Sequence, residues 1–109
     1  MKAAELRKLR ERDKWCWHCG DENDLVPHHR INRGMGGSKA LDNLQNVILV
    51  CASYNGMMES DSRTATLARE LGHKVSKFSN SDVPVFDNIM QTWYLLDVTG
   101  GKLVTEPPQ

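Results

Sequence analysis

Between Pro27 and Asp61 the chain reads PHHRINRGMGGSKALDNLQNVILVCASYNGMMESD, and only Val47 to Val50 forms a continuous apolar run in it. A packed element shows apolar residues at every second or every third to fourth position, and the rest of this stretch has neither spacing. It carries instead two adjacent histidines, a glycine-rich loop flanked by Arg30, Arg33 and Lys39, several asparagines and an acidic exit. One short buried strand is expected at 47–51. The residues around it are committed to something other than packing.

With 109 residues there is length for one domain and one modest core. Lys plus Arg number 14 and so do Asp plus Glu, so any basic surface must be local. The N-terminus has such a bias, with Lys2, Arg7, Lys8, Arg10, Arg12 and Lys14 against Glu5, Glu11 and Asp13. No apolar stretch is long enough for a membrane span and no signal-peptide pattern occurs, so no membrane partner and a reducing cytoplasm are expected. Three cysteines, two of them in Cys16-Trp17-His18-Cys19, fit metal ligation or buried thiols better than a disulfide framework.

Good helix formers fill 2–12, where Leu6 and Leu9 give a thin apolar stripe. That helix reads either as a solvated element docked through two leucines or as an arm for a DNA backbone. The Cys-x-x-Cys turn closes on Gly20, the shape of a zinc knuckle. An extended piece at 25–27 leads into the histidines. Helices are expected at 52–59 and at 62–71, the second capped by Asp61 and ended by Gly72. A polar loop at 74–86, a strand at 92–98, a turn at 99–102 and a return strand at 103–105 make a C-terminal hairpin, with a frayed tail at 106–109.

Neutral imidazole is the commonest metal ligand, and histidine also takes a proton near neutral pH. Neighbours in an extended segment point to opposite sides, so His28 and His29 can divide those jobs. Asn55 and Glu59, four apart on a helix, can present two oxygens to one ion. Imidazole plus oxygen suits Mg²⁺ or Mn²⁺, and the glycine loop with its cations suits a phosphate chain. The chemistry these residues fit is metal-assisted phosphodiester hydrolysis.

The order Cys-x-x-Cys, His28-His29, Gly36-Gly37-Ser38, Asn46, then Cys51 with Asn55 four residues on, resembles the HNH endonucleases. The runs His28-His29-Arg30-Ile31-Asn32-Arg33 and NGMMESD at 55–61 are most similar to small HNH proteins of bacteriophages that infect actinobacteria. The resemblance is close over residues 13–61 and looser over PVFDNIM and WYLLD.

It implies an α+β fold: a ββα-metal centre at 15–61, an N-terminal helical arm at 1–14, and a C-terminal helix plus β-hairpin at 62–109. By the same resemblance His29 is the general base, His28 a metal ligand, and Asn46 the residue that braces the loop and orients the His29 backbone. Asn43 is the alternative central asparagine. Asn55, where the family often has His, makes this an HNN variant whose side-chain carbonyl binds the metal, and Glu59 is a further ligand. The implied activity is hydrolysis of DNA with one divalent ion, leaving 5′-phosphate and 3′-hydroxyl ends. Arg30, Arg33, Lys39 and Arg63 are expected as DNA-backbone contacts.

Cys16, Cys19 and Cys51 are the expected zinc ligands, with Tyr54 standing where zinc-bearing relatives have a fourth. His18, His73 or water can complete that site; the alternative is a metal-free core with Tyr54 packed in the ion's place. Trp15 and Trp17 are expected over the cysteines, and Met57 and Met58 in the core. A place in phage genome packaging, with terminase and portal proteins as partners, is also implied. The rival readings are a zinc-stabilised DNA-binding module that does not cleave, and an accessory active only within a terminase complex.

Overall fold

The computed structural model describes residues 1–34 and 36–108. The described residues adopt an α+β fold of three α-helices and two small antiparallel sheets. In order the elements are α1 (Ala3–Arg12), β1 (Leu25–His29), a 3-10 turn (Lys39–Leu41), β2 (Val47–Cys51), α2 (Ala52–Ser60), α3 (Ser62–Glu70), β3 (Val85–Asp87), β4 (Thr92–Leu96) and β5 (Lys102–Thr105). Strands β1 and β2 pair from Leu25↔Cys51 to His29↔Val47, and β3-β4-β5 form the second sheet. Of the tail expected at 106–109, residues to Pro108 are irregular and exposed; Gln109 lies outside the described residues, as does Met35 in the glycine loop.

All five β2 residues are buried, which explains their unbroken apolar run. Alternate side chains serve two cores. Ile48 and Val50 join Cys16, Trp17, Tyr54, Met58, Ala68, Val85, Tyr94 and Leu96, while Val47 and Leu49 join Leu9 and Leu44. Each such apolar side chain contributes about 1.5–3 kcal/mol on burial.

Helix α1 docks through Leu9 and Leu6, and its last residue turns inward. Arg12 bonds both oxygens of Asp13 and donates to the Leu44 and Val47 carbonyls at 2.6 Å each. Asp13 accepts from the Leu49 amide at 3.1 Å, and the Trp17 amide donates to the Leu49 carbonyl. The free edge of β2 is thereby closed. At this end the helix is a docked element, with Arg12 committed to the interior.

Two expectations are corrected. The segment read as loop to residue 86 contains β3, which turns the expected hairpin into a three-stranded sheet: Val85 is fully buried against the core that Tyr94 shares. Met57 is 47 % exposed while Met58 is buried, because successive residues on a helix face different ways. As expected, Asp61 caps α3, accepting from the Thr64 amide at 3.0 Å. Gly72 follows the helix with φ +72°, and a side chain there would collide with the Pro84 carbonyl.

Arg30 is the largest departure from expectation. It is 1 % exposed, and its guanidinium donates to the carbonyls of Gly72, Gln45, Ser81, Val83 and Pro84, so it is unavailable to a DNA backbone. Burial, and to a lesser degree Arg12, lowers its pKa to about 10, which leaves it charged at neutral pH. Arg30→Met keeps much of the volume but strands those carbonyls. Urea denaturation followed by circular dichroism is expected to give a loss of at least about 3 kcal/mol, whereas Lys39→Met, at an exposed site, stays within about 0.5 kcal/mol.

Candidate functional site

Two centres flank α2. The first is the cysteine cluster. Gly20 donates to the Cys16 carbonyl at 2.9 Å to close the knuckle, and Cys51 arrives at the end of β2. The sulfurs of Cys16, Cys19 and Cys51 lie within 4.8 Å of one another, with Cys19 and Cys51 3.8 Å apart. The His18 amide points at the Cys16 sulfur and the Tyr54 amide at the Cys51 sulfur, which caps α2. Burial raises the Cys16 thiol to about 11, opposed by backbone hydrogen bonds from Cys19, Cys51 and His18, so an arriving metal has a proton to displace.

The cluster can hold a metal ion such as zinc, and it supplies three of the four donors a tetrahedral site takes. Among the described residues no fourth His, Cys, Asp or Glu joins it. His73 has other work. Its Nε2 donates to the Phe86 carbonyl at 2.7 Å, which leaves Nδ1 to accept from the Tyr54 hydroxyl, also at 2.7 Å. His18 stacks on Tyr54, with ring centroids 4.0 Å apart. Tyr54 is therefore a packed, hydrogen-bonded wall of the cluster. Trp17 is buried edge-on to Tyr94.

The second centre is a cleft of about 370 Å³ between β1, the glycine loop and α2, walled by His28, His29, Asn32, Arg33, Asn55 and Glu59. Adjacent on β1, the two histidines take different partners. His28 is buried, and its Nε2 donates to the His73 carbonyl at 2.7 Å, which leaves Nδ1 as the lone-pair nitrogen. Burial lowers its pKa; the His73 carbonyl, the Asn55 side chain and the Glu59 carboxylate oppose this, and Lys74 adds to it. His29 is about a quarter exposed, and its Nε2 donates to Asp42 Oδ1 at 2.9 Å. Bonds to the Met1 amino group, then to His29, lower the Asp42 carboxyl to about 2, so it is an ionised acceptor at neutral pH.

Asn46 is fully buried and grips the chain just past the histidines. It accepts from the Ile31 amide and donates to the Ile31 and Leu41 carbonyls, so its brace acts through Ile31 rather than through the His29 backbone. Asn43 closes the local turn, bonding Gln45, Asn46 and Ala40. Arg33 donates to the Gly37 and Ser38 carbonyls, and Gly37 holds φ +62°, so this cation shapes the loop it was expected to flank. Lys39 and Arg63 are exposed. Glu59 is exposed at the cleft rim and pairs with Lys74 at 3.4 Å.

The structure thus brings His28, His29, Asn55 and Glu59 into one cleft and Cys16, Cys19 and Cys51 into one cluster, and removes Arg30 from the surface. Asp42 and His73 were missed as partners of the histidines. An Asp in a polar run and a His after a helix carry no periodic signal; only the fold puts them beside residues 29 and 28. No family model, curated protein or solved structure matches the chain.

Reduced, metal-stripped protein titrated with Co²⁺ is expected to develop a thiolate-to-cobalt charge-transfer band that saturates at about one equivalent, and Cys19→Ser to lose most of it. An unchanged free-ion spectrum would rule the cluster out as a metal site. Separately, burial holds the His73 pKa at about 3 against an ordinary 6.5, so the unfolded chain binds the extra proton between those values. Stability from this group is complete above pH 6.5 and declines as pH falls toward about 3. Thermal melts should drop through that window, and His73→Gln should melt lower at neutral pH but with a shallower pH slope.

Proposed function

We propose that the protein is a divalent-metal-dependent endonuclease of the HNH kind, hydrolysing DNA phosphodiester bonds, with β1, β2 and α2 as its ββα centre. The observation that carries this reading is the convergence of His28, His29, Asn55 and Glu59 on one cleft beside a glycine-rich loop. The His28 lone pair at Nδ1, the Asn55 carbonyl and the Glu59 carboxylate would hold Mg²⁺ or Mn²⁺, one imidazole with oxygens being a donor set for such ions. A bound ion supplies positive charge to the scissile phosphate and the departing 3′ oxygen.

The chain's own residues do the rest. With Nε2 committed to Asp42, His29 has Nδ1 as the nitrogen that takes a proton from the attacking water. Water oxygen bonds to phosphorus as the P–O3′ bond breaks, leaving a 5′-phosphate and a 3′-hydroxyl. Asp42 fixes the ring's orientation and tautomer, much as a buried carboxylate does for other catalytic histidines. Asn46 holds the segment after His29 against the loop, and exposed Lys39 and Arg63 are available to DNA phosphates.

The second reading is a metal-stabilised DNA-binding module that does not cleave, favoured by the cysteine cluster, whose three donors already lie together. Relaxation of supercoiled plasmid with Mg²⁺ or Mn²⁺ separates the two. Cleavage abolished by EDTA, and reduced at least about 100-fold in His29→Ala, is expected of the nuclease. Intact plasmid with every divalent ion tried rules out the stand-alone nuclease. Asp42→Asn is expected to lower kcat about tenfold or more with KM little changed, since it alters the ring that takes the proton and no substrate contact.

A further inference from the structure

Next to the catalytic cleft lies a second groove of about 380 Å³, which shares His29, Asn32 and Glu59 with it and continues along Arg69 and the run Lys74 to Phe78. The groove is built into the fold. The Val75 amide donates to the Arg30 carbonyl at 2.8 Å, and Val75 forms a parallel bridge with Ile31, two residues beyond His29. A turn follows at once, with the Phe78 amide on the Ser76 hydroxyl at 3.2 Å and the Ser79 amide on the Ser76 carbonyl at 3.0 Å.

That turn holds out Phe78, which at 88 % is the most exposed large apolar side chain among the described residues. Leaving such a ring in water forgoes about 1.5–3 kcal/mol of burial. The Lys77 ammonium sits 5.3 Å from the ring centroid, a cation–π contact that steadies the ring and keeps positive charge beside it. Phe78 lies three positions on from the bridge at Val75, at most about 11 Å of chain. Charge along the groove is net positive: Arg69, Lys74 and Lys77 face one carboxylate, Glu59, which Lys74 already pairs.

An exposed aromatic face among cations is the chemistry that receives an unpaired base, because a duplex offers phosphates but keeps its base faces stacked. We propose that this groove is a subsite for an unpaired nucleotide of the substrate strand next to the scissile phosphate. Its base stacks on Phe78, and Arg69 and Lys77 take the flanking phosphates. The assignment rests on the nuclease reading and names its substrate class: strands with an unpaired nucleotide at the cut, in single strands, flaps or opened duplex.

The test is fluorescence anisotropy of the full chain in EDTA, with a labelled oligothymidylate and a blunt duplex hairpin as probes. Phe78→Ala is expected to weaken oligothymidylate binding by about tenfold and to leave duplex binding within about twofold. Phe78→Trp should restore affinity, with emission above that of the wild type that is quenched by the oligonucleotide. Lys77→Ala should lower the slope of log affinity against log salt by about one. Unchanged oligothymidylate binding by a folded Phe78→Ala protein overturns the proposal, as does an equal loss for the duplex. A change only in self-association would make the ring a protein contact and also overturn it. Cleavage of plasmid, flap and single strand by the wild type is measured alongside. Stacking on Phe78 without cleavage of plasmid, flap or single strand removes the nuclease and leaves the groove a binding site for unpaired nucleotides; cleavage with unaltered Phe78→Ala binding removes only the subsite.

Discussion

Arg30 brings a full charge into the interior, and no carboxylate pairs with it among the described residues. Carbonyl dipoles satisfy it instead, and they come from distant places: the turn before β2 at Gln45, the turn after α3 at Gly72, and the 81–84 segment that leads into β3. A buried cation without partners is costly enough that these segments cannot drift independently. Because Arg30 directly follows the histidine pair, this knot also sets where β1 ends. His28 then meets the His73 carbonyl, one residue beyond an Arg30 acceptor, and Val75 pairs beside Ile31.

Helix α2 couples the two centres. Cys51 caps its N-terminus with a sulfur of the cysteine cluster, Tyr54 reaches His73, and Asn55 and Glu59 line the cleft. His73 closes the circuit, with its side chain on Tyr54 and its carbonyl on His28. A metal ion on the thiolates would therefore stiffen the same helix turn that presents Asn55. The two centres share a wall, and their stabilities are expected to be linked rather than additive.

Much of the local structure was legible in sequence. The apolar run 47–50, the cap at Asp61, the stop at Gly72 and the hairpin strands, expected at 92–98 and 103–105 and found at 92–96 and 102–105, follow short-range rules of burial, capping and turn chemistry. The grouping of His28 with Asn55 and Glu59, and of Cys16 with Cys19 and Cys51, was implied by the family resemblance; in the structure strand pairing and helix spacing bring them together. Arg30 was misread because an arginine beside a glycine loop looks the same whether its partners are phosphates or carbonyls. Strand β3 was missed because three residues with one proline before them give no period to count.

The sequence alone determined which residue types could ligate a metal or take a proton and most of the local elements that hold them, because residue type, spacing and capping act over a few positions. Only the tertiary structure decided which partner each of these residues takes: Asp42 on His29, His73 on Tyr54 and on His28, five carbonyls on Arg30, and Lys77 beside the ring of an exposed Phe78. Hydrogen-bond partners 13 to 54 residues apart leave no periodic trace, since each is a single contact fixed by packing. In this chain, those contacts separate a surface cation from a buried one and a free loop histidine from an oriented imidazole.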